Sequence, residues 1–182
     1  MSTLILFNKP CGVICQFSPS GDKPTLKDFV TTPGVYPAGR LDTDSEGLVL
    51  LTDDGALQHE IANPRHKMAK IYYAQVDGAA TENALEPLRK GVRLSDFQAK
   101  PAEVCIVEAP AWLWPRQPPI RVRREIPTSW LKLVLREGKN RQVRRMTAAV
   151  GLPTLRLIRH SIGDWSIDGL TQGDHKSLII NI

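Results

Sequence analysis

Gly39-Arg40-Leu41-Asp42-Thr43-Asp44-Ser45-Glu46-Gly47-Leu48-Val49-Leu50-Leu51 passes directly from a polar, acidic segment into an unbroken apolar run. The apolar run after Gly47 predicts a buried strand over 48–51. Irregular segments anchored on rigid strands are where chemistry is usually placed, so the acids before this strand are candidates for a site. Asp42, Asp44, Glu46 and Gly47 match the first half of a calcium-binding helix-loop-helix pattern, with Asp53 at its twelfth position. Against this, Pro37 and Gly39 interrupt an entering helix, 48–52 is hydrophobic, and Asp53 is not the usual bidentate Glu. A paired-carboxylate site built on Asp42 and Asp44 is a second reading, although near neighbours along a loop often point apart. A single nucleophilic aspartate acting on a nucleotide is a third, and a solvated acidic turn a fourth. The third requires an arginine, an aromatic platform and a basic surface elsewhere in the chain.

Working outward, the pattern is strand-rich. Strands are predicted at 4–7, 12–15, 70–76, 102–107, 131–136, 154–159, 162–167 and 178–182 from short apolar or alternating runs. Helices are predicted at 54–62, at 81–90 (Thr81 as N-cap, Gly91 past the end) and at 140–150, with a turn or two of helix over 25–30. Residues 112–128 carry Pro115, Pro118, Pro119 and Pro127 with Arg116, Arg121, Arg123 and Arg124. This segment is expected to be a long hairpin or an extended arm. The class is α+β, and 182 residues suit one compact domain over 1–182 or two closely fused halves (subdomains).

Tyr72 and Tyr73 fall on opposite faces of their strand, so one can pack inside while the other lines a cleft. At about 100° per residue, Arg141, Arg144 and Arg145 share an arc of a helix whose other side carries Val143, Met146 and Val150. Between 116 and 145 there are ten Lys or Arg and two acids, Glu125 and Glu137. Such a local basic excess is the footprint of phosphate binding. The whole chain carries 24 Lys and Arg against 19 Asp and Glu, a formal charge of +5, and its pI is near 9.3. Cys11, Cys15 and Cys105 have neither disulfide-framework nor metal-pair spacing, which points to a reducing compartment. No apolar stretch approaches the ~20 residues of a membrane span. The start has no basic region ahead of its short apolar run. A cytoplasmic protein is expected.

Four blocks together resemble the RsuA-type pseudouridine synthases, in the order of that family. They are Asn8-Lys9-Pro10-Cys11-Gly12; Gly39-Arg40-Leu41-Asp42 through Ser45, Gly47 and Leu48 to Thr52-Asp53-Asp54-Gly55; Lys70-Ile71-Tyr72; and Glu137-Gly138 through Asn140-Arg141-Gln142-Val143-Arg144-Arg145-Met146. The resemblance implies a central, mainly antiparallel mixed sheet flanked by helices, with a central cleft. It implies isomerisation of a uridine to pseudouridine without cofactor or metal. Asp42 would be the nucleophile, attacking the anomeric carbon or the base ring. Arg144 would pair with Asp42 and fix its geometry. Tyr72 would stack on the extruded base and help remove a proton. Arg40 would wedge into the RNA or hold a phosphate, and Lys9, Lys70, Arg141 and Arg145 would contact RNA. Within the family, Trp112-Leu113-Trp114-Pro115 and Ile126-Pro127-Thr128-Ser129-Trp130 resemble the members acting on large-subunit (23S) ribosomal RNA. Many relatives carry a small N-terminal RNA-binding domain. The first block begins here at residue 8, so none is expected, and the protein is expected to act as a monomer. The competing readings are a non-catalytic RNA-binding or ribosome-assembly protein and a glycosidic-bond hydrolase.

Overall fold

A computed structural model of the chain describes residues 1–66 and 68–181. The described residues form a mixed sheet of nine strands with three α-helices, and the chain divides into two compact units. One comprises Met1–Met68 with Arg159–Ile182, the other Ala69–Ile158.

In the first unit, β1 (Ser2–Lys9) pairs antiparallel with β3 (Glu46–Thr52) on one side and β9 (His175–Ile180) on the other. The two-residue β2 (Tyr36–Pro37) pairs with β3. Every residue of β3 is buried, as expected of a continuous apolar run covered on both faces. One of its faces packs Val49 and Leu51 with Ile5, Phe7, Leu26, Val30, Val35 and Leu41. Helix α1 (Gly55–Ala62) starts where Asp54 accepts hydrogen bonds from the backbone N–H groups of Ala56 and Leu57, at 2.8 and 2.9 Å. Such a cap stabilises a helix by about 1 kcal/mol.

In the second unit, β6 (Thr128–Leu135) lies between β4 (Lys70–Asp77) and β5 (Glu103–Val107), all antiparallel. Helices α2 (Glu82–Lys90) and α3 (Gln142–Ala149) supply Leu85, Leu88, Val143 and Met146 to a core with Tyr72, Leu131 and Leu133. Strand β7 (Thr154–Ile162) begins in this unit and ends in the first, where it pairs with β8 (Trp165–Ser166).

Several expectations need correction. Residues 12–15 are a turn with one bridge, Ile14 to Thr25, and the Pro10 and Val13 carbonyls around them both accept from Lys9 Nζ, which curls the chain there. The helical turn expected near 25–30 is present as a single 3-10 turn, Leu26–Asp28. The strand expected over 162–167 shrinks to β8, since Gly163 turns the chain at φ +55. The last strand starts earlier than expected, at His175, and the Ile182 end of that expectation lies outside the described residues. Residues 108–127 contain no strand and form the long connection of the β5–β6 hairpin. All three cysteines are free thiols. None of the described helices is long and apolar enough to cross a membrane.

Candidate active site

Asp42 follows Leu41, whose side chain is packed in the first unit's core, so the backbone entering the acidic segment is fixed by apolar burial. The backbone leaving it is fixed by hydrogen bonds. The Ser45 N–H donates to the Asp42 carbonyl at 3.0 Å, closing a turn over Asp42-Thr43-Asp44-Ser45. The Thr43 carbonyl accepts from the Gly12 N–H at 2.7 Å and from Lys9 Nζ at 3.3 Å. The Asn8-Lys9-Pro10-Cys11-Gly12 block therefore braces the acidic turn.

Lys9, an expected RNA contact, is turned inward in this structure. The residue is 0% exposed, and Nζ also donates to the Pro10 and Val13 carbonyls, each at 2.9 Å. With its donors turned inward it braces the loop. Burial pulls its pKa down from 10.5 to about 8, partly opposed by Cys15, Cys11, Glu46 and Asp44. Arg40, by contrast, is exposed, as an RNA-contacting side chain must be.

Asp53 settles the calcium reading. It sits beyond the far end of β3 from Asp42, a strand of seven residues, or roughly 20 Å at ~3.3 Å per residue. Its carboxylate accepts from the Thr3 N–H at 2.7 Å, which lowers its pKa. Among the described residues no group of three or more acids, His or Cys could hold a metal.

The other candidates lie in the second unit. Tyr72 is the inward-facing tyrosine, part of the unit's core and only 8% exposed. Tyr73, on the opposite face, meets Trp112 edge-on at 5.2 Å between ring centres. Lys70 Nζ lies 4.0 Å from where a side chain on Gly138 would begin, which brings the Lys-x-Tyr block against the Glu-Gly turn.

That turn is built by Gln142, which is buried. Its Nε2 donates to Glu137 at 2.7 Å, and its Oε1 accepts from the Lys139 N–H at 3.0 Å. Arg141 was placed on the helix with Arg144 and Arg145; it instead precedes α3 in left-handed backbone, φ 53 and ψ 31. Arg144 is on α3, one residue after the buried Val143. Arg145 is paired with Asp96, lies 5.3 Å from the Phe97 ring centre and is 30% exposed at its side chain. That ion pair holds the Asp96 carboxyl below its ordinary pKa. Arg145 is thus engaged within its own unit.

Arg159 escaped the sequence reading. It is buried on β7, with Nε donating to the Leu48 carbonyl at 2.9 Å and Nη1 to the Arg40 carbonyl at 3.4 Å. The signal was present as an arginine within Leu157-Ile158-Arg159, an apolar strand where a charge needs a reason.

The first unit thus holds Asp42 in a braced turn two residues after an exposed arginine, and the second carries the Lys-x-Tyr strand and Arg144 on α3. The chain belongs to the RNA pseudouridylate synthase family, whose sequence model matches residues 3–149; members of this class are isomerases. The chain is 56% identical to the ribosomal large subunit pseudouridine synthase E of Xanthomonas axonopodis pv. citri, over 92% of this chain and 89% of that one. It is 50% identical to the synthase E of Vibrio vulnificus, over 96% of this chain and 74% of that one. A crystal structure of a pseudouridylate synthase superposes with a TM-score of 0.80 at 31% identity, covering 98% of this chain and 71% of the other.

Proposed function

We propose that this protein converts one uridine of structured large-subunit (23S) ribosomal RNA to pseudouridine in the cytoplasm, with Asp42 as nucleophile. The observation that carries the reading is the bracing of Asp42 between a buried Leu41 and a Thr43 carbonyl held by Gly12 and Lys9. A solvated acidic turn has no need of interior donors. The synthase E names of the relatives supply the ribosomal target.

In the reaction the bond from N1 of uracil to the anomeric carbon breaks, the base rotates, and C5 bonds to that carbon. C5 loses a proton and N1 gains one, so nothing is added or released. Asp42 attacks the anomeric carbon or the base ring and is regenerated. Arg144 orients the carboxylate, Tyr72 stacks on the extruded base and assists proton removal, and Arg40 enters the RNA or holds a phosphate. Lys70, Arg141 and Arg145 add positive charge in the second unit. Extrusion of the base costs a few kcal/mol, which favours a uridine in a loop or irregular helix. The enzyme works as a monomer.

The test takes ribosomal RNA from cells lacking the protein and adds wild type or Asp42→Ala. Carbodiimide labelling and primer extension should show one new stop in large-subunit RNA with wild type and none with the variant. Binding of the RNA by both proteins with no new stop from either would replace this reading with a non-catalytic binder. Release of free uracil would identify a hydrolase.

A further inference from the structure

We infer that Arg159 is a positioning residue for the nucleophile, a clamp across the two ends of the loop that carries Asp42. The inference rests on Asp42 being that nucleophile. The Nη1 donor reaches the Arg40 carbonyl, two residues before Asp42, and Nε reaches the Leu48 carbonyl, six residues after it. One planar guanidinium therefore ties together the entry and the exit of the loop. Its fork fixes both distances at once, which the single ammonium of a lysine does not.

Two further observations bear on the clamp. First, the backbone of Arg159 on β7 is pressed against Gly47 of β3, the strand that leaves the loop. A side chain on Gly47 would start 2.9 Å from the Arg159 nitrogen and carbonyl carbon and closer still to its carbonyl oxygen. The clamp thus acts from a fixed base. Second, Nη2 of Arg159 is buried without a hydrogen-bond partner, and the residue is only 4% exposed. Keeping a cation inside with a donor unsatisfied is destabilising. An apolar side chain of similar length would fill the strand without that penalty, so the guanidinium is retained for what it holds.

Catalysis of this kind depends on placement. A displacement of about 1 Å at a reacting group lowers a rate by roughly 100-fold. Arg159→Lys and Arg159→Ala are compared with wild type by circular dichroism, RNA affinity and single-turnover rate, with Asp42→Ala in parallel. The expected result for Arg159→Lys is a wild-type spectrum, RNA affinity within about threefold, and a rate about 100-fold lower. Millimolar guanidinium should restore part of the rate of Arg159→Ala, and ammonium at the same concentration should not.

A folded Arg159→Lys with a rate within about threefold of wild type would overturn the clamp, as would a loss confined to RNA affinity. Failure of both variants to fold would make Arg159 a stability element of its unit and also overturn the assignment. Activity in Asp42→Ala is a separate outcome, one that removes the nucleophile itself.

Discussion

Residues 39–45 and residues 108–127 are the two irregular segments richest in functional residue types, and they are held in opposite ways. The first is tied from inside its unit by a buried leucine, a buried lysine, a buried arginine and the Gly12 N–H. The second is tied at its ends. Arg116 donates to the Leu155 carbonyl at 2.9 Å, Arg156 donates to the Trp114 carbonyl at 2.7 Å, and Trp112 and Trp114 lie 5.6 Å apart. At the far end the Gly78 N–H reaches the Pro127 carbonyl at 2.7 Å. Between these ties Arg121, Val122, Arg123 and Arg124 are exposed, and Val122 reaches 78%. A nucleophile needs a fixed position, because rate falls steeply with misplacement. A phosphate-binding arm needs charge and reach, and tolerates loose geometry because its contacts are long-ranged and salt-screened.

The sharpest way to break the comparison is at Gly47, where φ is +104 and an added side chain meets the Arg159 backbone. Gly47→Ala should lose about 4 kcal/mol of stability, from left-handed strain plus overpacking; urea unfolding would measure it. A loss under ~1 kcal/mol would mean that the loop is looser than described.

Lys9 comes next, through pH. Its folded pKa of about 8 lies below the ordinary 10.5, so the unfolded chain holds more protons between these values. Stability attributable to Lys9 must therefore rise as pH climbs from about 8 to 10.5, and its penalty is fully present below that window. Between pH 7.5 and 9.5 the rise should be about 2 kcal/mol in wild type relative to Lys9→Met. Unfolding of both proteins at these two pH values checks the sign as well as the size.

The smallest stability effect belongs to the arm. Arg121→Ala with Arg124→Ala should change stability by less than about 0.5 kcal/mol. The same pair should weaken RNA binding across sequences and shrink the log–log salt slope by about 2. A salt slope equal to that of wild type would assign the arm's charge to solvent.

The sequence was most readable where one local pattern had one structural outcome. The run after Gly47 became β3, the loose alternation over 70–76 became β4, and Thr81 and Gly91 bounded α2. It was least readable where a side chain's partner lies far along the chain. Lys9 looked like any cation in a motif and proved to be an interior brace. Arg141 fitted the helical arc, but left-handed backbone excluded it from α3. Arg145 looked free for phosphate and found Asp96.

By itself, then, the sequence determined the strand-rich class and the basic character of 116–145. These depend on composition and near-neighbour spacing, which the chain carries locally. Tertiary structure alone decided which cations turn inward and which remain outside. That choice is made by carbonyls and carboxylates brought close by folding, 34 residues away for Lys9 and Thr43 and 119 for Arg159 and Arg40. No local pattern encodes a partner at that separation, and the energy of burying a charge depends on whether the partner is there.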